Sequence, residues 1–444
     1  MALPHVWHWP ARGSALDDLL RRSERGAAMA VAAVGGSITA GINCVDGELV
    51  HQQCAWPARV ARAFNATYQN LARGGLHTRS FLPLAPFVAT QLESTLGSDE
   101  PLLLLVDFTV NDGYTIAGNE YKYSKGATAQ MRAEVGHIAR ALEQLLRHLQ
   151  PRRANVAIVG ALHACAPCAL LRDDYVKLFR HYEAPLLELT TWPKCSRWNF
   201  ARCVHPNASW HSQLAATVVD GLRERALVGP PRRHRRPPGP LPSARAPLWP
   251  EAELPPVCLP KEATVHDAVA AAADARGASV TCERPAGCRL YADRENKPGW
   301  ILEAAQPRQR PTVTFPVRFG AQPRLLISYL RSYEGFGDAQ LTVSRPCAEC
   351  QWGKYPIGHP YTLVGRHALR TSQATSEFFE ASSTFAQDVA PTAESALEGR
   401  AHLGNAGGAG FAVPPNTSGF ATVRLRRPSS SAASRFKVLA VVSC

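Results

Sequence analysis

Gly35-Gly36-Ser37-Ile38-Thr39-Ala40-Gly41 follows directly on the apolar run Ala27 to Val34. Glycines permit a tight turn from a strand into a helix. A serine at such a turn carries its hydroxyl to the carboxyl edge of a sheet, where a helix amino end favours developing negative charge. The chemistry open to it is nucleophilic attack on an acyl carbon, and the plainer alternative is a turn with no further role. Two more segments stand where an α/β enzyme would build a site: Asn70-Leu71-Ala72-Arg73-Gly74-Gly75-Leu76-His77-Thr78 and Val106-Asp107-Phe108-Thr109-Val110-Asn111-Asp112-Gly113. The Gly75 N–H and the Asn111 side-chain amide, aimed at one point with the Ser37 N–H, make an oxyanion hole for a tetrahedral acyl intermediate. Asn-Asp-Gly also favours a simple turn whatever its function. The fourth piece is His205-Pro206-Asn207-Ala208-Ser209-Trp210-His211. A histidine on that loop reaches Ser37 across the sheet edge, takes its proton during attack and returns it to a leaving alcohol.

These pieces need elements to position them. Short apolar runs alternating with longer amphipathic segments set the rhythm of a parallel sheet with crossover helices. The pattern predicts strands at Met29 to Gly35, Thr67 to Leu71, Leu102 to Phe108, Val156 to Gly160 and Pro185 to Leu189. Helices are expected at Pro57 to Phe64, Ser80 to Leu96, Ala127 to Leu149, Leu170 to Tyr182 and Ser209 to Ala226. In the longest, Arg132, Glu134, Arg140, Glu143 and Arg147 supply a polar face, and Ile138, Leu142, Leu145 and Leu146 a buried one. The result is a three-layer α/β/α domain with each candidate residue at a strand or helix boundary.

With the four pieces in this order, the region from about Ala27 to Leu227 resembles the SGNH hydrolases, also called GDSL esterases and lipases. Gly35-Gly36-Ser37-Ile38-Thr39 is similar to the Ser block, with Gly-Gly-Ser in place of Gly-Asp-Ser. Asn70 with Gly75 resembles the Gly block, Val110-Asn111-Asp112 the Asn block, and His205-Pro206-Asn207 with His211 the His block. The resemblance implies a flavodoxin-like parallel sheet, Ser37 as nucleophile and His205 as general base. It further implies oxyanion donors from Ser37, Gly75 and Asn111, with His211 a structural residue of the helix start. Members commonly carry Asp three residues before the catalytic His, and Arg202 stands there in this chain. That departure leaves a Ser-His dyad oriented by a backbone carbonyl, a carboxylate from elsewhere, or a scaffold that has lost catalysis. Asp112 reads as a brace for the loop that holds Asn111.

The chain has 444 residues, 45% of them apolar and 19% charged, enough for two globular domains and too apolar for wholesale disorder. Its longest apolar runs fall short of the roughly 20 residues that a membrane span needs, so a soluble chain is expected. Arg and Lys outnumber Asp and Glu by 49 to 36, a net charge of +13 that favours anionic partners without choosing among them. Twelve cysteines divide evenly about a Pro- and Arg-rich break. Cys44, Cys54, Cys165, Cys168, Cys195 and Cys203 precede it, and Cys258, Cys282, Cys288, Cys347, Cys350 and Cys444 follow it. Two separately stapled domains in an oxidising compartment are expected, although Met1 to Arg12 lacks the apolar core of a signal peptide. Asn65, Asn207 and Asn416 occupy glycosylation sequons, and a glycan on Asn207 would crowd a site built on His205. A bridge from Cys195 to Cys203 would stiffen that loop. The Cys165/Cys168 and Cys347/Cys350 C-x-x-C pairs fall in different predicted domains, which argues against a shared zinc site.

The break, residues 228–257, contains Arg232-Arg233-His234-Arg235-Arg236 and reads as a solvated linker. Beyond it, β-rich runs at Thr312 to Arg318, Arg324 to Leu330, Gln340 to Ser344 and Phe436 to Val442 predict an antiparallel β-sandwich. The Gly-rich Ala401 to Phe420 lacks the Lys-Ser/Thr step of a phosphate loop and reads as a mobile loop. Glu295 to Trp300 and Ser328 to Gly337 mix aromatics with polar groups, either as sugar-stacking residues or as sandwich core.

The chain thus divides as an SGNH-like α/β domain over 1–227, a basic linker over 228–257 and a β-sandwich accessory domain over 258–444. The expected function is hydrolysis of a carboxylic ester, first among them O-acyl groups on glycans, through an acyl-Ser37 intermediate and with no metal or organic cofactor. The expected partner is a glycan or small-molecule ester, with a surface suited to anionic glycans and no specific nucleic acid. Acyl transfer to a sugar hydroxyl, or a catalytically inactive glycan-binding scaffold, are the alternatives.

Overall fold

A computed structural model describes residues 3–11, 14–42, 44–95, 100–117, 128–149, 156–191, 205–227, 246–249, 264–268, 280–283, 287–292, 298–304, 306, 309–320, 324–332, 335–344, 361–365, 373–380, 418–426 and 434–443. The chain forms two compact units, Met1–Leu254 with Ala292–Lys297, and Pro255–Tyr291 with Pro298–Cys444.

The first unit is built on a six-stranded sheet. Its strands are β1 (His5–His8), β2 (Ala30–Gly35), β5 (Thr67–Asn70), β6 (Leu102–Asp107), β7 (Val156–Leu162) and β8 (Leu186–Leu189). A separate small hairpin pairs β3 (Val45–Asp46) with β4 (Leu49–Val50). The sheet order is β1-β8-β7-β6-β2-β5, parallel except for β1. Leaving aside β1, the parallel strands run 2-1-3-4-5 in chain order, the flavodoxin-like winding. Its order reverses between β2 and β6, and that crevice is where such sheets bind ligands.

Alternation within the strands divides the two faces. Val31 and Ala33 of β2, Leu103 and Leu105 of β6, and Ala157 and Val159 of β7 pack in one core. That core also takes residues of α1 (Ala15–Glu24), α2 (Trp56–Ala63) and α8 (Ala208–Leu227). On the other side lie α3 (Thr78–Phe81), α4 (Ala85–Thr95), α5 (Thr109–Ala117), α6 (Ala129–Leu149) and α7 (Arg172–His181). Ile138, Leu142, Leu145 and Leu146 of α6 are all buried, as the helical period requires.

The five parallel strands and the long helices lie where the pattern places them. Two differences have plain causes. The expected single helix from Ser80 to Leu96 is split into α3, a 3-10 turn at Leu82–Leu84 and α4, because Pro83 and Pro86 interrupt the backbone hydrogen-bond ladder. Asn111-Asp112-Gly113 is no loose turn: it lies in the first turns of α5.

The two ends of this unit's chain are tied together. The Leu3 N–H donates to Thr217 Oγ1 at 2.9 Å. Arg225 of α8 bonds Asp17 of α1 at 2.8 Å and the carbonyls of Pro10 and Ala11. Both partners of that ion pair are buried. From the expected linker, residues 246–249 are described, and they lie against this unit. The carboxylate of buried Glu143 accepts the Leu248 N–H, the Trp249 N–H at 3.0 Å and the Tyr182 hydroxyl at 2.5 Å.

The second unit holds two antiparallel sheets. One runs β10 (Thr281–Cys282), β13 (Thr312–Arg318), β18 (Ser418–Leu425), β15 (Ala339–Ser344), β16 (Tyr361–Leu363). The other runs β11 (Cys288–Ala292), β12 (Pro298–Ala304), β19 (Ser434–Ser443), β14 (Arg324–Arg331), β17 (Gln373–Glu380), with β9 (Thr264–Asp267) on β19. Alternate residues of both, among them Trp300, Val313, Phe315, Ile327, Leu341, Val423 and Phe436, share one core. Trp300 packs edge-on to Phe315 and Tyr329 stacks on Phe436, so these two aromatics serve the core and not a sugar surface. Glu295 to Lys297, Tyr333 and Glu334 lie outside the described residues, as does the expected loop up to Thr417. Ser418 to Phe420 are not loop but the start of β18.

Three disulfides are described. Cys44–Cys54 and Cys165–Cys168 lie in the first unit and Cys282–Cys288 in the second. The C-x-x-C at Cys165 is therefore a local bridge. Cys195, Cys203, Cys347 and Cys350 lie outside the described residues.

Candidate active site

Ser37 stands two residues past the end of β2, at the carboxyl edge and at the point where the sheet order reverses. Its turn is held on both sides. The Gly36 N–H donates to the Asp107 carbonyl at 3.0 Å, and the Ser37 carbonyl accepts from Ile42 N–H at 3.0 Å. Both glycines are required by contact. A methyl group on Gly35 would run into the Asp107 carbonyl and the Thr39 side chain. One on Gly36 would stand 2.8 Å from Asn111 Oδ1 and 2.9 Å from its Cγ. In this chain the absence of a side chain at Gly36 lets the Asn111 amide come up against the turn of Ser37.

The segment after β5 closes on the same edge. The Leu71 N–H bonds the Ala33 carbonyl and the Arg73 N–H bonds the Gly35 carbonyl, so this segment runs beside the end of β2. Asn70 fixes it further, donating from Nδ2 to the Thr39 carbonyl at 3.0 Å and accepting the Ala72 N–H at 3.0 Å. Gly75 adopts φ +88°, a left-handed conformation that favours glycine. Asn111 Nδ2 donates to the carbonyl of the next residue, Leu76, at 2.9 Å. The turn after β2, the loop after β5 and the first turns of α5 thus meet through Asn111.

Asp112 locks that junction from behind. Its carboxylate accepts the Thr78 N–H at 2.7 Å, the Thr78 hydroxyl at 2.5 Å and the Tyr175 hydroxyl at 2.6 Å. Burial raises its pKa to about 6, outweighing the lowering by those donors. The same burial pushes Tyr175 well above the usual phenol range. His77, beside Thr78, is driven down to about 3 by burial with Arg79 contributing, so it is neutral at physiological pH.

His205 is half-buried at the bend that leads into α8. Asn207 caps the helix, its Oδ1 accepting the Trp210 N–H at 3.1 Å. His211 is buried in the first turns and accepts the Trp56 N–H on Nδ1 at 3.3 Å. That bond ties α8 to α2 and fixes the ring's tautomer. Burial, with Arg59 and His163 adding to it, lowers the His211 pKa to about 3. A histidine so placed holds the helix and moves no proton near neutral pH. Arg202 lies outside the described residues.

Sequence reasoning missed Thr39 and His163. Thr39 Oγ1 donates to Asp107 Oδ2 at 2.8 Å, and His163 Nε2 lies 3.0 Å from the same oxygen. His163 had a readable signal: it is the first residue past β7, on the edge that carries the other three pieces. Beyond Ser37 the chain makes an excursion to α2 that the Cys44–Cys54 bridge closes, and Arg59 braces it through Asp46 at 2.6 Å and the Cys54 carbonyl at 2.8 Å.

No family model and no curated protein matches the sequence. Among solved structures, a two-domain esterase active on acetylated mannans aligns over 98% of this chain and 96% of its own, at TM-score 0.54 and 15% identity. A two-domain esterase of the same description, co-crystallized with mannopentaose, aligns over 97% and 95% at TM-score 0.51 and 16% identity. The likeness is one of fold: an SGNH-hydrolase-like α/β/α domain followed by an antiparallel β-rich domain.

Proposed function

We propose that the chain is a serine esterase that removes O-acyl groups from glycans. The observation that supports this reading is the Asn111 amide, whose Oδ1 lies 2.8 Å from where a side chain on Gly36 would begin and whose Nδ2 holds the loop of Gly75, so that three of the four motif pieces meet around one side chain. In the proposed reaction Ser37 Oγ attacks the acyl carbon as His205 takes its proton. The oxyanion is received by the Ser37 and Gly75 N–H groups and the Asn111 amide. His205 then gives the proton to the departing sugar oxygen, and water, deprotonated by the same imidazole, releases the acid from acyl-Ser37. A sugar hydroxyl in place of that water would make the chain an acyltransferase. No step calls for a metal or organic cofactor.

The substrate class is supported by the fold likeness to an esterase active on acetylated mannans, and by a net charge of +13 suited to acidic glycans. Disulfides in both units suit a secreted protein. The catalytic domain is proposed to span 1–227 and the accessory domain 258–444. Arg202 favours one other reading, a hydrolase scaffold that binds glycan without acylating.

Labelling with a fluorophosphonate probe tests the mechanism without a substrate guess. The expected result is one adduct on Ser37, mapped by mass spectrometry, that is lost in Ser37→Ala and reduced by about a hundredfold or more in rate in His205→Ala. Folded protein that never forms the adduct would sink the acyl-serine mechanism in favour of the binding scaffold.

A further inference from the structure

Asp107 and His163 form a buried pair that the proposed chemistry does not use. Asp107, the last residue of β6, is 3% exposed, and His163, just past β7, is 1% exposed. The pair reaches both sides of the nucleophile. Through its carbonyl Asp107 takes the Gly36 N–H at 3.0 Å, and through Oδ2 it takes the Thr39 hydroxyl at 2.8 Å. His163 Nε2 stands 3.0 Å from that same Oδ2. The His163 ring lies against Trp210, with centroids 5.5 Å apart and planes 32° from parallel. Trp210 belongs to the first turn of α8, just beyond His205, and its N–H donates the cap bond to Asn207 Oδ1. One carboxylate is thereby joined to the residues flanking Ser37 and, through one imidazole and one indole, to the base of the His205 loop.

We propose that Asp107 and His163 are positioning residues for Ser37 and His205, doing from beneath the site what a carboxylate three residues before the histidine does in the resembled family. The proposal rests on the acyl-serine reading. A well-packed apolar pair would fill the same space without the cost of desolvating a carboxylate. What an apolar pair lacks is direction: hydrogen bonds to a carboxylate fix the angle of each donor, here the Thr39 hydroxyl and the His163 ring. An error of about 1 Å between nucleophile and base costs on the order of a hundredfold in rate, so a rigid joint between the two turns has a direct effect on catalysis.

The test compares the full chain with His163→Leu, His163→Gln, Thr39→Val and Thr39→Ser. The readouts are the rate constant for Ser37 phosphonylation, kcat and KM on 4-nitrophenyl acetate, and the thermal midpoint. Leu and Val remove the donors to Asp107, while Gln and Ser keep one. The expected result is a loss of about tenfold or more in phosphonylation rate and in kcat, with KM little changed, for His163→Leu and Thr39→Val. Gln and Ser are expected to recover most of it. Thr39→Val exchanges the hydroxyl for a methyl of similar size and carries the test if His163→Leu fails to fold. Rates within about twofold of wild type for Thr39→Val and for every folded His163 variant overturn the proposal, as does a loss that follows the thermal midpoint and is not recovered by Gln or Ser. A wild-type chain that never reacts overturns the esterase reading and this one together, whereas a reactive wild type with indifferent variants overturns this one alone.

Discussion

At Gly36 a single hydrogen atom in place of a methyl decides whether the Asn111 amide can stand beside the turn of Ser37. A methyl at that position would sit 2.8 Å from Oδ1 and 2.9 Å from Cγ, both inside ordinary contact, so the amide must move. Gly36→Ala is expected to lower kcat/KM by about tenfold or more, because a displaced oxyanion donor loses part of the transition-state stabilisation that it supplies. Steady-state kinetics with a thermal midpoint alongside separates that loss from unfolding. The residue types of the candidate site were legible in the sequence: serine after glycines, asparagine after a strand, histidine before a helix. The close approach of Asn111 of α5 to Gly36 was not, because it joins two segments far apart in sequence and no local pattern encodes it. The pairing of Asp107 with His163 was hidden for the same reason, although each stands at a strand end where a site is to be expected.

The elements were legible where hydrophobic period is strong and lost where it is short. The five parallel strands and α2, α6, α7 and α8 follow directly from alternation and helical spacing. The amino-terminal strand β1 was obscured by its mixture of His and Trp, and α1 was missed although Ser14 and Asp17 form a capping box. Helix α8 illustrates an element fixed by one buried group. His211 joins it to α2 and its pKa is held near 3, against about 6.5 in an unfolded chain. A depressed folded pKa means that, as pH falls below 6.5, the unfolded chain takes up a proton that the native chain refuses. Stability is therefore lost progressively from pH 6.5 toward 3 and is fully present above 6.5. His211→Gln keeps an acceptor for the Trp56 N–H and removes the titration. Between pH 7 and pH 5 its unfolding free energy, measured by denaturant titration, is expected to fall by about 2 kcal/mol less than that of wild type. Equal falls would show that His211 is not the group responsible.

For the molecule as a whole, two units with separate cores were legible from the break in composition near residue 228 and the change of period beyond it. What no pattern revealed is that the far end of that break, Leu248 and Trp249, is held on the first unit by Glu143. Lys177 adds a cation–π contact, its Nζ 5.6 Å from the Trp249 ring centroid. From sequence Glu143 belongs to the polar face of α6, and only tertiary structure shows that a chain segment covers it. Glu143→Leu is expected to release the segment, raising the hydrogen-exchange rates of the Leu248 and Trp249 amides by about tenfold or more while the amides of β6 and β7 exchange as before. Unchanged exchange at both would mean that the carboxylate does not hold the segment.

The tie between the two ends of the first unit sets an order of events during synthesis. Arg225 lies more than 200 residues beyond Asp17, and it is the pairing of the two, with Leu3 bonded to Thr217, that seats α8 against α1. Ser37 leaves the ribosome long before either Thr217 or Arg225, and contacts of such long sequence separation form late. On the proposed mechanism, a nascent chain therefore carries Ser37 with no completed base beside it, and the proposed reactive centre is assembled only when the last helix of the unit docks.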